Sequence, residues 1–240
     1  MPEGLQGRQI ILAGGSGGLG SAAAEMLARE GASLVLSYLS NRERAEKLGY
    51  FAAIIQSDLG SAADRKRLLN AAPSLYGLVV FSGNPARVKD PSAIEEVMRL
   101  SHEVNYLGPI LLAREAAERM KDAGTPGAIV LVSTMQAAAL FPGSTAYAAP
   151  KAALSHAARI LAKECRGPAN IRVNVICPGV NQAGMAEASI ASGKYDRYIS
   201  DGVIPRFGQA ADVARAVRFF LEPDNYVTGQ VLTVDGGLTL

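Results

Sequence analysis

Residues 9–20 read Gln-Ile-Ile-Leu-Ala-Gly-Gly-Ser-Gly-Gly-Leu-Gly. An apolar run of strand length passes straight into glycines, and a helical pattern follows. No other stretch of the chain restricts its fold so tightly. Glycines at such a junction let the backbone turn sharply and approach a pyrophosphate, which the free amides and dipole of the helix N-terminus stabilise. Two registers fit. Gly15, Gly17 and Gly20 follow the general dinucleotide spacing, and Gly14, Gly18 and Gly20 follow a GxxxGxG spacing. Alone, the turn also fits a flexible glycine loop. Its place directly after a buried strand near the N-terminus favours phosphate binding.

The rest of the chain alternates in the same way. Strands are predicted at Gln9–Ala13, Ser33–Ser37, Ala52–Gln56, Gly77–Phe81, Ala128–Ser133, Ile171–Ile176 and Val231–Val234. The first helix runs to about Arg29, with Ala22, Met26 and Leu27 inward, and Gly31 closes it. Helices follow at Arg42–Leu48, Ala63–Ala71, Thr145–Cys165 and Asp212–Leu221. A long helical run spans Ser92 to Lys121. Residues 183–206 have no clear period. This order implies right-handed crossovers and a doubly wound, Rossmann-type α/β fold. The sheet is seven-stranded and mainly parallel, with helices on both faces.

A chain of 240 residues fills one large α/β domain and is too short for two. Apolar residues make up 49% and charged residues 19%, a globular balance. The net charge is +2 with no basic block, so nucleic acid is not an implied partner. No apolar run approaches ~18 residues, so no membrane span is indicated. Cys165 and Cys177 lie outside any CxxC pair, and His102 and His156 show no metal spacing. No metal is expected. The cytoplasm is the default compartment, since Met1-Pro2-Glu3-Gly4 does not resemble a signal peptide.

Downstream residues decide the glycine register. Tyr147 and Lys151 form a YxxxK pair, preceded by Pro142-Gly143 and by Val132-Ser133-Thr134. Asn105 sits in Val104-Asn105-Tyr106-Leu107-Gly108. Asp58-Leu59 follows the third strand, Pro178-Gly179 the sixth, and Asp235-Gly236-Gly237 the last. In this order and spacing the set resembles the short-chain dehydrogenase/reductase family along nearly the whole chain, with a general likeness to 3-oxoacyl-thioester reductases. The GxxxGxG register then applies.

Residues four apart share a helix face, so the Lys151 ammonium can lie near the Tyr147 phenol. A nearby cation and an oxidised nicotinamide both favour the phenolate, drawing it down from a pKa of about 10. The resemblance implies that Tyr147 gives a proton to a carbonyl oxygen as hydride arrives, or removes it in reverse. It implies that Lys151 also holds the nicotinamide ribose. Asn105 would interrupt its helix and hold a water feeding protons to Lys151. Thr134 stands where the family usually has the serine that orients the substrate oxygen, with Ser133 as an alternative. Cofactor contacts are implied for Gly14, Ser16, Gly18, Leu19, Gly20, Asp58, Leu59, Gly83, Pro178, Gly179 and Val180.

Several positions depart from the family pattern. Its NNAG stretch is here Val80-Phe81-Ser82-Gly83, its first threonine is Ala13, and the threonine after Pro-Gly is Ala183. Pro150 lies inside YxxxK. It has no N–H and crowds a helix interior, so the helix is expected to begin late or bend there. These changes leave open a catalytically impaired nucleotide-binding relative.

The second strand ends in Ser37-Tyr38-Leu39-Ser40-Asn41-Arg42, with no acid to bind a ribose diol. Ser40, Asn41 and Arg42, with Ser37, could bind a 2′-phosphate that a carboxylate would repel. NADP(H) is therefore expected over NAD(H). A small carbonyl or alcohol substrate is implied. Segment 183–206 (with Lys194, Tyr195, Arg197 and Tyr198) and the loop Asn84–Pro91 would shape its pocket. A homo-oligomer, tetramer or dimer, is expected through the long helices Ser92–Lys121 and Thr145–Cys165 and through the last strand.

Overall fold

In a computed structural model, which describes residues 4–88 and 90–240, strand β1 (Gln9–Ala13) is buried on both faces. Ile10 and Leu12 enter one core while Ile11 and Ala13 enter the other, as the two-residue period of a strand requires. The other strands are β2 (Ser33–Tyr38), β3 (Ala52–Gln56), β4 (Leu75–Val80), β5 (Gly127–Val132), β6 (Ile171–Pro178) and β7 (Val231–Val234). They form one sheet in the order β3-β2-β1-β4-β5-β6-β7. Every pairing is parallel. The chain reverses its direction of winding between β1 and β4. A crevice opens there beyond the C-terminal strand ends, the usual ligand site of such sheets.

The helices are α1 (Gly18–Arg29), α2 (Arg42–Glu46), α3 (Ala62–Asn70), α4 (Ile94–His102), α5 (Gly108–Asp122), α6 (Thr145–Glu164), α7 (Glu187–Ala191), α8 (Asp196–Ser200) and α9 (Ala210–Leu221). Helices α1 and α9 cover one face of the sheet; α3, α5 and α6 cover the other. Val213, Val217, Phe220 and Leu221 of α9 are buried, as their spacing predicts. Each such side chain contributes roughly 1.5–3 kcal/mol of burial.

Three details differ from the sequence pattern. Ala23, Ala24 and Leu27 form the buried face of α1, with Ala22 and Met26 half-buried at its edge. Small alanines let α1 lie closely on α9, so that stripe faces inward. The long run from Ser92 divides into α4, a π turn at Glu103–Leu107 and α5, which puts the interruption at Asn105. Pro150 does not delay α6, which starts at Thr145 and continues through it to Glu164. The Ala146 carbonyl, which an amide at 150 would normally reach, accepts instead from Ser101 Oγ at 2.5 Å.

Segment 183–206 folds into a short 3₁₀ turn at Gly184–Ala186 and the five-residue helices α7 and α8. Helices this short show no readable period. A small core of Met135, Val180, Ile204 and Phe207, with Tyr195 and Tyr198 against it, pins the segment over the end of β6.

Candidate active site

A cleft of about 730 Å³ lies at the β1/β4 crevice. Its floor is the glycine turn. Gly14 has φ +70°, and a Cβ there would stand 2.9 Å from the Ser82 amide nitrogen. A Cβ on Gly18, the first residue of α1, would meet the Gly184 nitrogen at 2.7 Å. Gly17, from the competing register, has ordinary room, its nearest neighbour lying 3.4 Å away. Gly15, also of that register, is crowded as well, a Cβ there standing 2.7 Å from Leu12 Cβ, so both registers place glycines where side chains do not fit. Ser16, Leu19 and Gly20 line the same floor.

The end of β2 supplies one wall. Ser40 and Asn41 line it, and so does Arg44, which the sequence reading left out. Arg42 is not a wall residue: its Nε donates to Glu46 Oε1 at 2.6 Å on the outer face of α2. Asn41 Oδ1 accepts from the Arg44 amide at 2.9 Å and caps α2. Both signals were in the sequence, as an Asn before a helix and an Arg-x-x-x-Glu spacing. Ser37 is buried behind the wall, where its Oγ accepts from the Gly14 amide at 3.0 Å. It braces the turn. Asp58 and Leu59 do not border the cleft. The Asp58 amide donates to Asp64 at 2.9 Å, Asp58 Oδ1 accepts from the Gly60 amide, and Leu59 is buried near Gly108.

The opposite wall carries the YxxxK pair. Thr134, at the end of β5, lines the cleft together with Tyr147, and its Oγ1 accepts from the Gln136 amide at 3.3 Å. Ser133 Oγ is turned to the backbone, donating to the Lys151 carbonyl at 2.9 Å. Ser155 Oγ donates to Ser133 Oγ at 2.9 Å. Ser133 and Thr134 both line the cleft, Ser133 with its hydroxyl turned to the Lys151 carbonyl. Burial pushes the Tyr147 phenol up to about 12, against the pull of the Thr134 hydroxyl. That is opposite to the direction expected from a nearby cation. The main cause is burial of the phenol itself, and the Lys151 ammonium is engaged elsewhere. That ammonium is buried and donates to the carbonyls of Val132 at 2.9 Å and Ser82 at 3.1 Å. Burial lowers it to about 8.

Asn105 is fully buried beneath the cleft and does not line it. Its Oδ1 accepts from the Asn84 amide at 2.9 Å. Its Nδ2 donates to the Asn84 carbonyl at 2.9 Å and to Ser101 Oγ at 2.8 Å. These partners fix the amide's orientation and use both of its hydrogens. Gly83 lies between Asn105 and Lys151: a Cβ there would be 3.4 Å from Asn105 Oδ1 and 3.7 Å from Lys151 Nζ.

Pro178, Gly179 and Val180 line the cleft past β6, and Ala183 lies against Gly18. From segment 183–206, Lys194, Tyr195 and Tyr198 reach the cleft, while Arg197 pairs with Asp201 outside it. Pro85–Val88 form the facing rim, and Arg87 reaches across to the Met185 carbonyl at 3.0 Å. Among the described residues, the buried Ser82 Oγ and Asn181 Oδ1 have no hydrogen-bond partner, and both residues line the cleft. A glycine floor too tight for side chains, open helix amides and unsatisfied polar atoms fit a dinucleotide. Among the described residues no cluster of His, Cys, Asp or Glu could hold a metal ion.

This sheet order, with a glycine turn at its reversal point, defines a Rossmann-type dinucleotide-binding protein. Residues 13–239 match a family model described as enoyl-(acyl carrier protein) reductase. An uncharacterized oxidoreductase of Methylorubrum extorquens is 34% identical, with 98% of each chain covered. An NADPH-dependent aldehyde reductase-like chloroplastic protein of Arabidopsis thaliana is 32% identical over 98% of this chain and 96% of its own. A solved short-chain type dehydrogenase/reductase from Mycobacterium ulcerans superposes with a TM-score of 0.89 at 25% identity, covering 99% of this chain and 91% of that one. The chain belongs to the short-chain dehydrogenase/reductase family, and its class of activity is that of an oxidoreductase.

Proposed function

We propose that the protein interconverts a carbonyl and a secondary alcohol, with NADP(H) preferred over NAD(H), and that Tyr147 is its general acid and base. The observation that carries this reading is the wall on which Thr134, Tyr147 and Lys151 meet above a phosphate-type turn. The nicotinamide supplies or accepts hydride when bound. The amides at Gly18 and Leu19 and the dipole of α1 hold its pyrophosphate. Ser40, Asn41 and Arg44 would take the adenosine end, where no carboxylate among the described residues lines the cleft.

Thr134 orients the substrate oxygen toward the Tyr147 phenol. With its pKa near 12, Tyr147 carries its proton at neutral pH and can donate it as negative charge develops on that oxygen. Lys151 keeps a positive charge beneath the site, fixed by two backbone carbonyls. The apolar rim of Pro85, Met135, Phe141, Met185 and Tyr195 excludes water from the carbonyl.

Self-association is part of the same reading. Ile94 and Met98 on α4, Ile160 on α6 and Val231, Leu232 and Leu240 at the last strand are exposed apolar groups. They suit pairing of copies as a dimer or tetramer, and a monomer in light scattering at micromolar concentration would contradict this. The function itself is tested with a panel of carbonyl compounds and alcohols, each with both cofactors, followed by nicotinamide absorbance. Turnover with NADPH is the expected result. Cofactor binding without turnover across a broad panel would instead leave a nucleotide-binding relative.

A further inference from the structure

Pro150 is a peculiarity of this YxxxK sequence, and its effect can be followed atom by atom. Having no N–H, it leaves the carbonyl of Ala146, one turn back, without its usual helical donor. Ser101 Oγ supplies the missing donor at 2.5 Å. Ser101 is fully buried on α4, where an unpartnered carbonyl or hydroxyl would be costly. Its oxygen then accepts from Asn105 Nδ2 at 2.8 Å, one turn further along the same helical run.

Asn105 grips both backbone groups of Asn84. Two residues before Asn84, the Ser82 carbonyl accepts from Lys151 Nζ at 3.1 Å. Lys151 follows Pro150 directly on α6. The hydrogen bonds therefore make a closed circuit: from Ala146 on α6, through Ser101, Asn105 and the strand-end segment 82–84, back to Lys151 on α6.

We propose that Ser101 is a positioning residue for the reaction, and that Pro150 creates the vacancy which holds it in place. Ser101 touches neither cleft nor substrate. It fixes Asn105, Asn105 fixes the segment after β4, and that segment fixes the Lys151 ammonium. The circuit also gives a use to the altered Val80-Phe81-Ser82-Gly83 stretch, whose contributions here are a backbone carbonyl at Ser82 and room at Gly83. This inference rests on the function proposed above, because it concerns the placement of Lys151 beside Tyr147.

The test combines Ser101→Ala, Pro150→Ala, their double variant and Ser101→Cys with two readouts, melting temperature and the kcat and KM of NADPH oxidation. Ser101→Ala strands the Ala146 carbonyl and should lower Tm by roughly 4–8 °C. In the Pro150→Ala background the helix supplies its own amide, and the same change should lower Tm by less than half as much. Turnover should behave differently. The Ser101→Ala variant should lose about tenfold in kcat, as expected for a displaced charge-bearing group, with substrate KM changed less than threefold. Adding Pro150→Ala should recover more than half of the lost Tm but not kcat, because Asn105 still lacks its Ser101 partner. Ser101→Cys keeps a weak donor and should fall between, and it serves if the alanine variant does not fold.

Equal Tm losses in both backgrounds would overturn the circuit. Recovery of kcat together with Tm in the double variant would reduce Ser101 to a structural role and overturn the positioning claim. A Tyr147→Phe control separates the two readings. Full activity in that control would remove the proposed chemistry, while the Tm comparison would still decide the circuit, since it needs no turnover.

Discussion

Lys151 Nζ donates to the carbonyl of Val132 at 2.9 Å, which ties α6 to the end of β5. Thr134 lies two residues beyond Val132, so a single bond from the cation fixes the spacing between the phenol-bearing helix and the hydroxyl-bearing strand end. The hydroxyl of Ser133 repeats the tie by donating to the Lys151 carbonyl at 2.9 Å. Thr134 and Tyr147 are thus held by backbone-anchored neighbours on both sides, the kind of support a pre-organised proton donor needs.

Tyr147→Phe keeps the ring and removes the titrating oxygen. General acid catalysis by a placed group is worth ~10²–10⁴ in rate, and we expect a loss of kcat at the upper end of that range. Cofactor affinity should move less than threefold, because the phenol is not assigned to the pyrophosphate. A kcat within a few-fold of the parent, on a substrate from the panel, would rule out Tyr147 as the donor.

The two neighbouring hydroxyls should separate cleanly. Thr134→Ala removes the hydroxyl assigned to orient the substrate oxygen and should cost about 10²-fold in kcat. Ser133→Ala loses a buried bond to the Lys151 carbonyl and should mainly reduce stability, by about 1 kcal/mol, with kcat within fivefold. Parallel steady-state assays and urea melts of the two variants decide this. The reverse ranking in kcat would place the orienting hydroxyl at Ser133.

Arg44, rather than Arg42, faces the cleft beyond β2. A charge-assisted contact to a 2′-phosphate is worth about 1.5–3 kcal/mol, so Arg44→Ala should weaken NADPH binding at least tenfold and leave NADH binding unchanged. Arg42→Ala should alter neither by more than twofold. Fluorescence titration of both reduced cofactors against each variant is the measurement. NADH binding as tightly as NADPH to the parent protein would refute the preference itself.

Burial lowers the Lys151 ammonium from 10.5 to about 8. The unfolded chain then binds the extra proton between those two values, so stability rises with pH across that window. Below about pH 8 both states are protonated and the cost of burying the charge is fully felt. Above about pH 10 it has gone. Lys151→Met carries no such dependence. The stability of the parent minus that of Lys151→Met should therefore climb by about 2.5 kcal/mol from roughly pH 7 to pH 10, whatever constant offset the lost hydrogen bonds add. A flat difference in urea melts across that range would show that the ammonium is not desolvated as placed.

Most of the architecture was legible because strand length, helix period and glycine position all report on backbone geometry. The strands from Gln9–Ala13 to Val231–Val234 lie where apolar runs of that length predict, with ends shifted by a residue or two. The YxxxK spacing likewise puts Tyr147 and Lys151 on one helix face. Side-chain direction was harder to read, because it rests on local caps and pairs. Arg42 and Arg44 are the same residue type two apart, and only the capping of α2 by Asn41 and the pairing with Glu46 turn one outward and leave the other at the cleft. Ser37 is expected among the cofactor contacts after the second strand, yet its hydroxyl accepts from the Gly14 amide. The upward shift of the Tyr147 phenol was equally hidden, since it depends on burial and on an ammonium turned toward carbonyls that lie far away in sequence. Pro150 misled for the same reason: the donor that compensates for it comes from Ser101, on another helix.

That compensation bears on how the sequence can drift. Positions 101 and 150 are 49 residues apart, yet the hydroxyl at one answers the missing amide at the other. A lineage that exchanges Pro150 for an ordinary residue relieves position 101 of the Ala146 carbonyl but not of Asn105, which still donates to its hydroxyl. One that loses Ser101 first must pass through a destabilised ancestor. Among relatives, proline at position 150 should therefore occur only where position 101 carries a hydroxyl, a dependence that pairwise identity does not reveal.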